Sequence, residues 1–162
     1  MAELLNEAEA SPWETVKTRL SASRAGWQTA WSAITAEQAD ALHDGEWSAR
    51  EVGSHVAASI QRVTDVLAQL AVAGEAPQSR ERTLPGEPDH ARVDAALTRA
   101  WEHIDMASVT AGKISDPGAV IESRLGRLTM KQLVTYTAAH VEQHAEQLQQ
   151  MQAPASEGGS DG

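Results

Sequence analysis

Four segments of this 162-residue chain repeat their apolar residues mostly at intervals of three or four positions. That spacing is the period of an α-helix with one buried face. The stripes are Trp13, Val16, Leu20, Trp27, Trp31 and Ile34; Val52, Val56, Ile60, Val63, Leu67 and Leu70; Val93, Leu97, Trp101, Ile104 and Val109; and Leu133, Tyr136 or Thr137, Val141 and Leu148. Four amphipathic helices with no convincing strand predict an all-α fold, a four-helix bundle.

Capping boxes mark where these helices begin. In this motif a Ser or Thr and a Glu or Gln three residues later each bond the other's backbone N–H. The pairs are Ser11 with Glu14, Thr35 with Gln38, Ser48 with Glu51, and Thr129 with Gln132. Pro12 suits the first helical position after Ser11. We therefore predict a first helix from 12 that continues through Gly26, a short helix or turn after Thr35, and a last helix ending near 151.

Two long connections and a tail complete the predicted architecture. Residues 75–88 carry three prolines and no apolar period, and Gly74 should end the helix before them. The third helix should span 89–111, and residues 113–128 then form a second connection. Its turn at 116–118 precedes AVIES, which is too short to assign as a strand. Residues 153–162 have the composition of a disordered tail, which leaves one domain at 1–152.

The formal charge of −10 disfavours two classes of function. Nucleic-acid binders displace counterions with basic patches, and this acidic chain would be repelled by phosphate and by anionic lipid. The two arginine pairs, Arg80 with Arg82 and Arg124 with Arg127, are the strongest hints of a local basic patch. No nucleic-acid or membrane partner is therefore expected.

The absence of cysteine and the acidic N-terminus favour a cytoplasmic protein. Without cysteine the chain has no disulfide, thiolate ligand or thiol nucleophile, which suits a reducing compartment. MAELLNEAEA lacks the basic and apolar regions of a signal peptide, and no apolar run reaches the length of a membrane span. The chain has five Trp and no Phe, so Trp13, Trp27 and Trp31 are either core residues or part of a dimer interface.

His140 and His144 lie four positions apart in AAHVEQHAEQ, residues 138–147. On a helix this spacing places them about 40° apart around the axis and roughly 6 Å along it, so both rings can reach one ion. A chance pair is the alternative. His55 lies on the apolar stripe of the second helix, where a lone histidine is usually a hydrogen-bonded core residue. Together the three predict a metal site inside the bundle with one coordination position open.

Other residues near this pattern have structural explanations. Val141 stands where the HExxH motif of metalloproteases needs its glutamate, and Glu142 is expected to face water. Gln147 could orient a His144 ring or be solvated, and Tyr136 could line a pocket or simply pack. His43, His90 and His103 are interpreted as lying outside the site. Trp47 is interpreted as the apolar residue before the Ser48 cap.

WSAREVGSH at 47–55 resembles the W-S-x-x-E-x-x-x-H segment of the DinB-like (DinB/YfiT) superfamily. HVEQHAEQ at 140–147 resembles the H-x-x-x-H on the last helix of that family. The likeness extends over about residues 12–152. It implies a four-helix bundle in which His55, His140 and His144 bind one divalent ion, most often Zn or Ni. Fe and Mn are the alternatives for this site. The likeness also implies a homodimer.

The resemblance leaves two kinds of function open. Some members of the family are metal-dependent transferases or isomerases that use low-molecular-weight thiols such as bacillithiol or mycothiol. The first hypothesis is accordingly a thiol S-transferase in detoxification or stress response, or a hydrolase that activates water, acting on a small-molecule substrate. Arg80, Arg82, Arg124 and Arg127 could bind carboxylates of such a thiol. The alternative is a non-catalytic metal-binding or structural dimeric bundle.

Overall fold

The computed structural model describes residues 2–72, 83–113, 120–123 and 126–153. The helices are α1 Ala2–Ala10, α2 Trp13–Ser32, α3 Ala36–Ala41, α4 Ala49–Val72, α5 His90–Ala111 and α6 Met130–Gln152. The strands are β1 Val120–Ser123 and β2 Gly126–Thr129, an antiparallel pair. In the described parts of the chain, no helix has both the length and the apolar character to cross a membrane.

The four long helices α2, α4, α5 and α6 form the predicted all-α bundle. Helix α4 packs along α5, α2 packs along α6, and α4 also contacts α6. All four apolar stripes supply the core, with Trp27, Ile60, Trp101 and Val141 among its fully buried members. The α4–α6 contact matters for function because it brings together the two helices that carry the candidate ligands.

Tryptophan side chains and polar contacts join α2 to α5. Trp13 Nε1 donates to the Ser108 carbonyl oxygen at 3.2 Å, and Trp31 Nε1 donates to Asp94 Oδ1 at 3.1 Å. Trp27 stacks on Trp31 with 5.9 Å between ring centroids. Trp27 and Trp31 are buried and Trp13 is half-buried, so the tryptophans of α2 are core residues rather than an exposed face.

Three of the four capping boxes are confirmed. Thr35 with Gln38 and Thr129 with Gln132 make both reciprocal bonds. At the start of α4, Ser48 Oγ accepts from the Glu51 backbone N–H at 3.2 Å, and Glu51 Oε2 accepts from the Ser48 N–H at 2.7 Å. These bonds fix where α4 and α6 begin, and therefore which residues of each helix face the other.

The predicted capping box at Ser11 is wrong. Ser11 instead ends α1, a helix that the apolar pattern did not predict, because its Oγ and its N–H both donate to the Glu7 carbonyl oxygen. Helix α2 then starts after Pro12 without a side-chain cap. Helix α1 packs on α6, where Glu9 Oε2 accepts from Thr129 Oγ1 at 2.6 Å and Gln132 Nε2 donates to the Leu5 carbonyl oxygen.

Two further expectations differ from the structure. Val109 was predicted to point inward but is 52% exposed, because the buried face of α5 passes through Ala107, Ser108 and Ala111 at that level. The segment 113–128 contains the β1–β2 hairpin, although AVIES alone gave too short a strand signal. Residues 73–82 and 154–162 lie outside the described residues, so the disordered tail and the domain limits at 1–152 stay predictions.

Gly53 allows α4 to pack closely against the ring of Trp31. A Cβ at this position would lie 2.5 Å from Trp31 Cζ3 and 2.9 Å from Val93 Cγ1. We expect Gly53→Ala to lower the free energy of unfolding by about 1–3 kcal/mol, because the tryptophan ring and the helix must move apart. Urea unfolding followed by tryptophan fluorescence would measure this change.

Gly26 provides the matched control, since it is also helical but a Cβ added there would meet nothing within 4 Å. Gly26→Ala should raise the free energy of unfolding by about 0.5–1 kcal/mol through helix propensity alone. Equal effects of the two substitutions would contradict the close approach of Trp31 to α4.

Candidate metal centre

His55 is placed by the start of α4 and by the burial of its neighbours. It lies two turns after the Ser48 cap, between Val52 and Val56, which are both fully buried. Its own side chain is 8% exposed. The apolar stripe of α4 therefore turns this imidazole into the bundle, towards α6.

His140 and His144 lie on the side of α6 that faces α4. Val141 and Ala145, their neighbours in sequence, are buried in the core, and the two histidines are half-buried beside them. The centroids of the two rings are 4.5 Å apart. Both therefore lie at the edge of the core, where α6 meets α4.

The structure brings the three histidines to one point. His55 Nε2 lies 3.0 Å from His140 Nε2, and one ligand atom from each of the three residues lies within 4.8 Å of the others. Two imidazole nitrogens on one tetrahedral Zn²⁺ would be about 3.3 Å apart, given Zn–N bonds of about 2.0–2.1 Å. The donor set and its spacing therefore fit a divalent ion, although metal binding itself stays a prediction.

Burial keeps the imidazoles of His140 and His144 neutral, which is the form that binds metal. Desolvation, together with repulsion from His144, His55 and Arg62, lowers the pKa of His140 from 6.5 to about 3. Burial also lowers the pKa of His144, while its hydrogen bond to Gln147 and the charge of Asp44 act in the opposite direction. A neutral imidazole has a free lone pair, so His140 and His144 can bind a cation at neutral pH.

Acid should destabilise the metal-free protein through His140. Between pH 6.5 and about 3 the unfolded chain binds a proton at this residue that the folded chain does not. The free energy of unfolding should therefore decrease as the pH is lowered through this window, by up to about 1.4 kcal/mol per pH unit. Urea unfolding with chelator present, from pH 6.5 to 4.5, would measure the slope.

His140→Gln should make the free energy of unfolding less dependent on pH, because glutamine does not titrate. His103→Gln is the control, since His103 is exposed on α5 and should leave the slope as it is. A slope that His140→Gln did not change would show that the buried imidazole is not its source.

A cavity of about 570 Å³ opens beside the three histidines. Its aromatic walls are Trp47 and Tyr136. Trp47 meets His55 edge-on, with 4.8 Å between centroids, and Tyr136 stacks on His140 at 5.9 Å. The remaining lining is polar and includes Glu46, Gln143, Glu146, Gln147 and Gln150. The three histidines thus border a space large enough for a small molecule.

Gln147 is bound to the site rather than solvated. His144 Nδ1 lies 2.6 Å from Gln147 Oε1, and Gln147 Nε2 donates to Asp44 Oδ2. Its spacing of three residues from His144 was the signal for this contact. Asp44 was missed, because nothing in the sequence near position 44 points to a residue 103 positions away.

Trp47 and Tyr136 have roles at the site that sequence reasoning did not settle. Trp47 was interpreted only as the apolar residue before the helix cap, yet its ring also contacts His55 and stacks over His144. For Tyr136 the two alternatives were a pocket wall and simple packing, and the structure shows the pocket wall.

The other histidines lie elsewhere. His43 Nε2 is bonded to the Asp40 carbonyl oxygen, His90 stacks on Trp31, and His103 is exposed. Glu142 was expected to face water. It is partly exposed, and its Oε2 forms an ion pair with the Arg19 guanidinium at 3.1 Å, away from the histidine cluster.

The arginines suggested as anion-binding residues remain untested. Arg80, Arg82 and Arg124 lie outside the described residues. Arg127 is exposed on β2. Binding of carboxylates by these four residues stays a prediction.

Comparison with known proteins agrees with this architecture. The sequence model of the DinB superfamily matches residues 19–148, well over half of the chain. A solved structure described as "Crystal structure of TT2238, a four-helix bundle protein" is similar, with a TM-score of 0.65 and 23% sequence identity. The similarity covers 86% of this chain and 99% of that one, and it supports the fold. No curated protein matches the chain.

Proposed function

This chain belongs to the DinB superfamily, and from that premise we propose that it binds one divalent metal ion through His55, His140 and His144 and uses it as an enzyme. The observation that carries the proposal is the convergence of three imidazoles beside an open cavity. A structural site closed by four protein ligands needs no such space, whereas a catalytic site keeps a position for substrate.

The donor set favours Zn²⁺ or Ni²⁺, with Fe²⁺ or Mn²⁺ as alternatives. Imidazole suits zinc, nickel, copper and iron, while magnesium and calcium prefer oxygen ligands. The described residues place no carboxylate with the three histidines in the cluster of candidate ligands. Measurement of the metal content is therefore the direct way to identify the ion.

The reaction that we propose is transfer of a low-molecular-weight thiol, such as bacillithiol or mycothiol, to an electrophilic small molecule. When bound, the ion supplies Lewis acidity that stabilises a thiolate. The sulfur then forms a bond to the electrophilic carbon, the bond from that carbon to its leaving group breaks, and the thiol proton passes to solvent. Such a reaction suits detoxification or stress response in the cytoplasm.

The residues of the cavity would position the two reactants. Trp47 and Tyr136 offer apolar walls against which an organic electrophile can pack. Gln143 and Gln150 offer amide donors and acceptors for a polar thiol cofactor. Among the described lining residues the charged ones are Glu46 and Glu146, so this part of the cavity favours thiols with few negative charges.

An assay of S-transfer tests the enzyme proposal. Purified protein reconstituted with Zn²⁺ or Ni²⁺ would be incubated with each thiol and an aryl halide whose conjugate absorbs light. We expect conjugate formation above the uncatalysed rate for at least one thiol, and its loss with chelator. Stoichiometric metal without conjugation of any thiol, and without hydrolysis of ester substrates, would contradict the enzyme proposal and leave metal binding standing.

A dimeric, non-catalytic bundle is the second candidate. Met106 and Val109, one turn apart on α5, are 62% and 52% exposed. Exposed apolar side chains on one helix face are a feature of subunit interfaces. Sedimentation equilibrium at micromolar concentration, with Met106→Lys as the variant, would show whether this face joins two copies.

A further inference from the structure

We propose that Asp44 is a positioning residue which, acting through Gln147, fixes the proton of His144 on Nδ1 and leaves Nε2 free as the ligand atom. The inference rests on the proposed metal site and concerns this chain's own hydrogen bonds. It starts from the chain of contacts in which Asp44 Oδ2 accepts from Gln147 Nε2, and Gln147 Oε1 lies 2.6 Å from His144 Nδ1.

The direction of every bond in this chain follows from Asp44. An ionised carboxylate can only accept hydrogen bonds, so the amide group of Gln147 that faces it must be the NH₂. The amide oxygen of Gln147 then faces His144, and because that oxygen can only accept, Nδ1 of His144 must carry a proton. In a neutral imidazole the other nitrogen, Nε2, has the lone pair. The tautomer is thus set from a residue that does not touch the histidine.

Asp44 is held in place by a second set of bonds. Its other carboxylate oxygen, Oδ1, accepts from the backbone N–H groups of Glu46 at 2.9 Å and Trp47 at 2.8 Å. Gly45, which follows Asp44 in this turn, has a φ of +99°, which a side chain would strain. These bonds lower the pKa of Asp44, with Gln147 contributing, so the carboxylate stays ionised at neutral pH.

One side chain therefore connects two parts of the site. The turn at 44–47 carries the Trp47 wall and leads into α4, which bears His55, while Gln147 and His144 belong to α6. A residue that only capped the turn would need one acceptor oxygen. Asp44 uses both oxygens, and the second one faces α6.

Asp44→Asn separates the two roles. Asparagine still offers one oxygen to the N–H groups of the turn, so the turn should persist. Its NH₂ then faces Gln147, whose amide must rotate by 180° to avoid donor-to-donor contact. The rotated amide offers NH₂ to His144 Nδ1, which must accept, and the proton moves to Nε2. We expect the metal-free variant to show the Nε2–H tautomer of His144.

The double variant Asp44→Asn with Gln147→Glu should restore the original tautomer. The asparagine NH₂ donates to the new carboxylate, which accepts from His144 Nδ1–H. The formal charge of the double variant equals that of the original chain. Gln147→Leu, which removes the connection altogether, should give a mixture of the two tautomers. Glu37→Gln, at an exposed acid of α3, is the control for loss of one negative charge.

Two measurements test the proposal. Long-range ¹H–¹⁵N NMR of metal-free protein at pH 7.5 reports the tautomer of His144 directly, whether or not the protein binds metal. Competition with a chelating indicator reports the affinity for Zn²⁺, which should fall about 10- to 100-fold in Asp44→Asn and recover in the double variant. If Asp44→Asn kept the Nδ1–H tautomer, or if the double variant failed to restore it, the proposal would be overturned. Absence of Zn²⁺ binding in all forms would instead refute the metal site.

Discussion

His140→Ala is expected to reduce bound divalent metal from about one ion per chain to almost none, because it removes one of three ligands. Residues outside the ligand set typically change metal affinity 10- to 100-fold, so loss of a ligand should exceed about 100-fold. His55→Ala should have the same effect. Although it lies 85 positions away in the sequence, His55 Nε2 is 3.0 Å from His140 Nε2.

Thermal stability should follow the metal. An ion present at 100 times its dissociation constant stabilises the folded chain by about 2.7 kcal/mol. For a domain of this size that corresponds to a melting temperature higher by roughly 5–10 °C. The increase on adding Zn²⁺ should be seen in the original chain and be absent in His140→Ala and His55→Ala.

Mass spectrometry of metal content on untagged protein is the measurement, since the histidines of a tag would bind metal themselves. His103→Ala is the matched control, because His103 is exposed on α5 and lies apart from the site. A variant at His140 or His55 that retained stoichiometric metal, or an equal loss of metal in His103→Ala, would contradict the three-histidine site.

The parts of the fold that depend on local chemistry could be predicted from the sequence. Periodic apolar residues predicted the four long helices, and the boxes at Ser48 and Thr129 predicted the starts of α4 and α6, as the box at Thr35 did for the short helix α3. Both signals act within a few residues. Ser11 shows the limit of that reasoning. Its hydroxyl can serve the helix that follows or the helix that precedes it, and a helix at 2–10 decided the outcome.

The candidate site divides in the same way. His140 and His144 follow from spacing on one helix, and His55 follows from its place on a buried stripe. The contacts of Asp44 and Trp47 with α6 depend on how the turn before α4 lies against the last helix, about one hundred residues later. No local sequence pattern predicts contacts between segments so far apart in the chain. Tertiary packing therefore adds the residues that orient the histidines and border the cavity.

Trp101→Ala should produce the largest loss of stability among the variants considered, about 3–5 kcal/mol. Trp101 is 1% exposed and lies in the seam between α2 and α5, with the Arg24 guanidinium 5.9 Å from its ring centroid. Removing the indole leaves a cavity that two long helices cannot readily close. Since small domains are stable by about 5–15 kcal/mol, the variant should unfold at a much lower urea concentration.

Trp101→Phe distinguishes lost volume from lost polar contacts. Trp101 Nε1 is buried and finds no hydrogen-bond partner among the described residues, so its N–H contributes a desolvation cost rather than a bond. Phenylalanine keeps most of the aromatic volume and removes that cost, so the expected loss is below about 1.5 kcal/mol. Trp47→Ala is the matched control outside the core, because Trp47 is half-buried at the cavity.

The three variants together test whether tryptophan supplies the large aromatic volume of the core in a chain that has no phenylalanine. We expect Trp101→Ala to destabilise the fold most. Trp47→Ala should come next, and Trp101→Phe should destabilise the fold as much as Trp47→Ala or less. If Trp101→Ala were no more destabilising than Trp47→Ala, the indole would not be supporting the α2–α5 seam. The α2–α5 side of the bundle would then need another source of stability, such as the contact of α5 with a second copy of the chain.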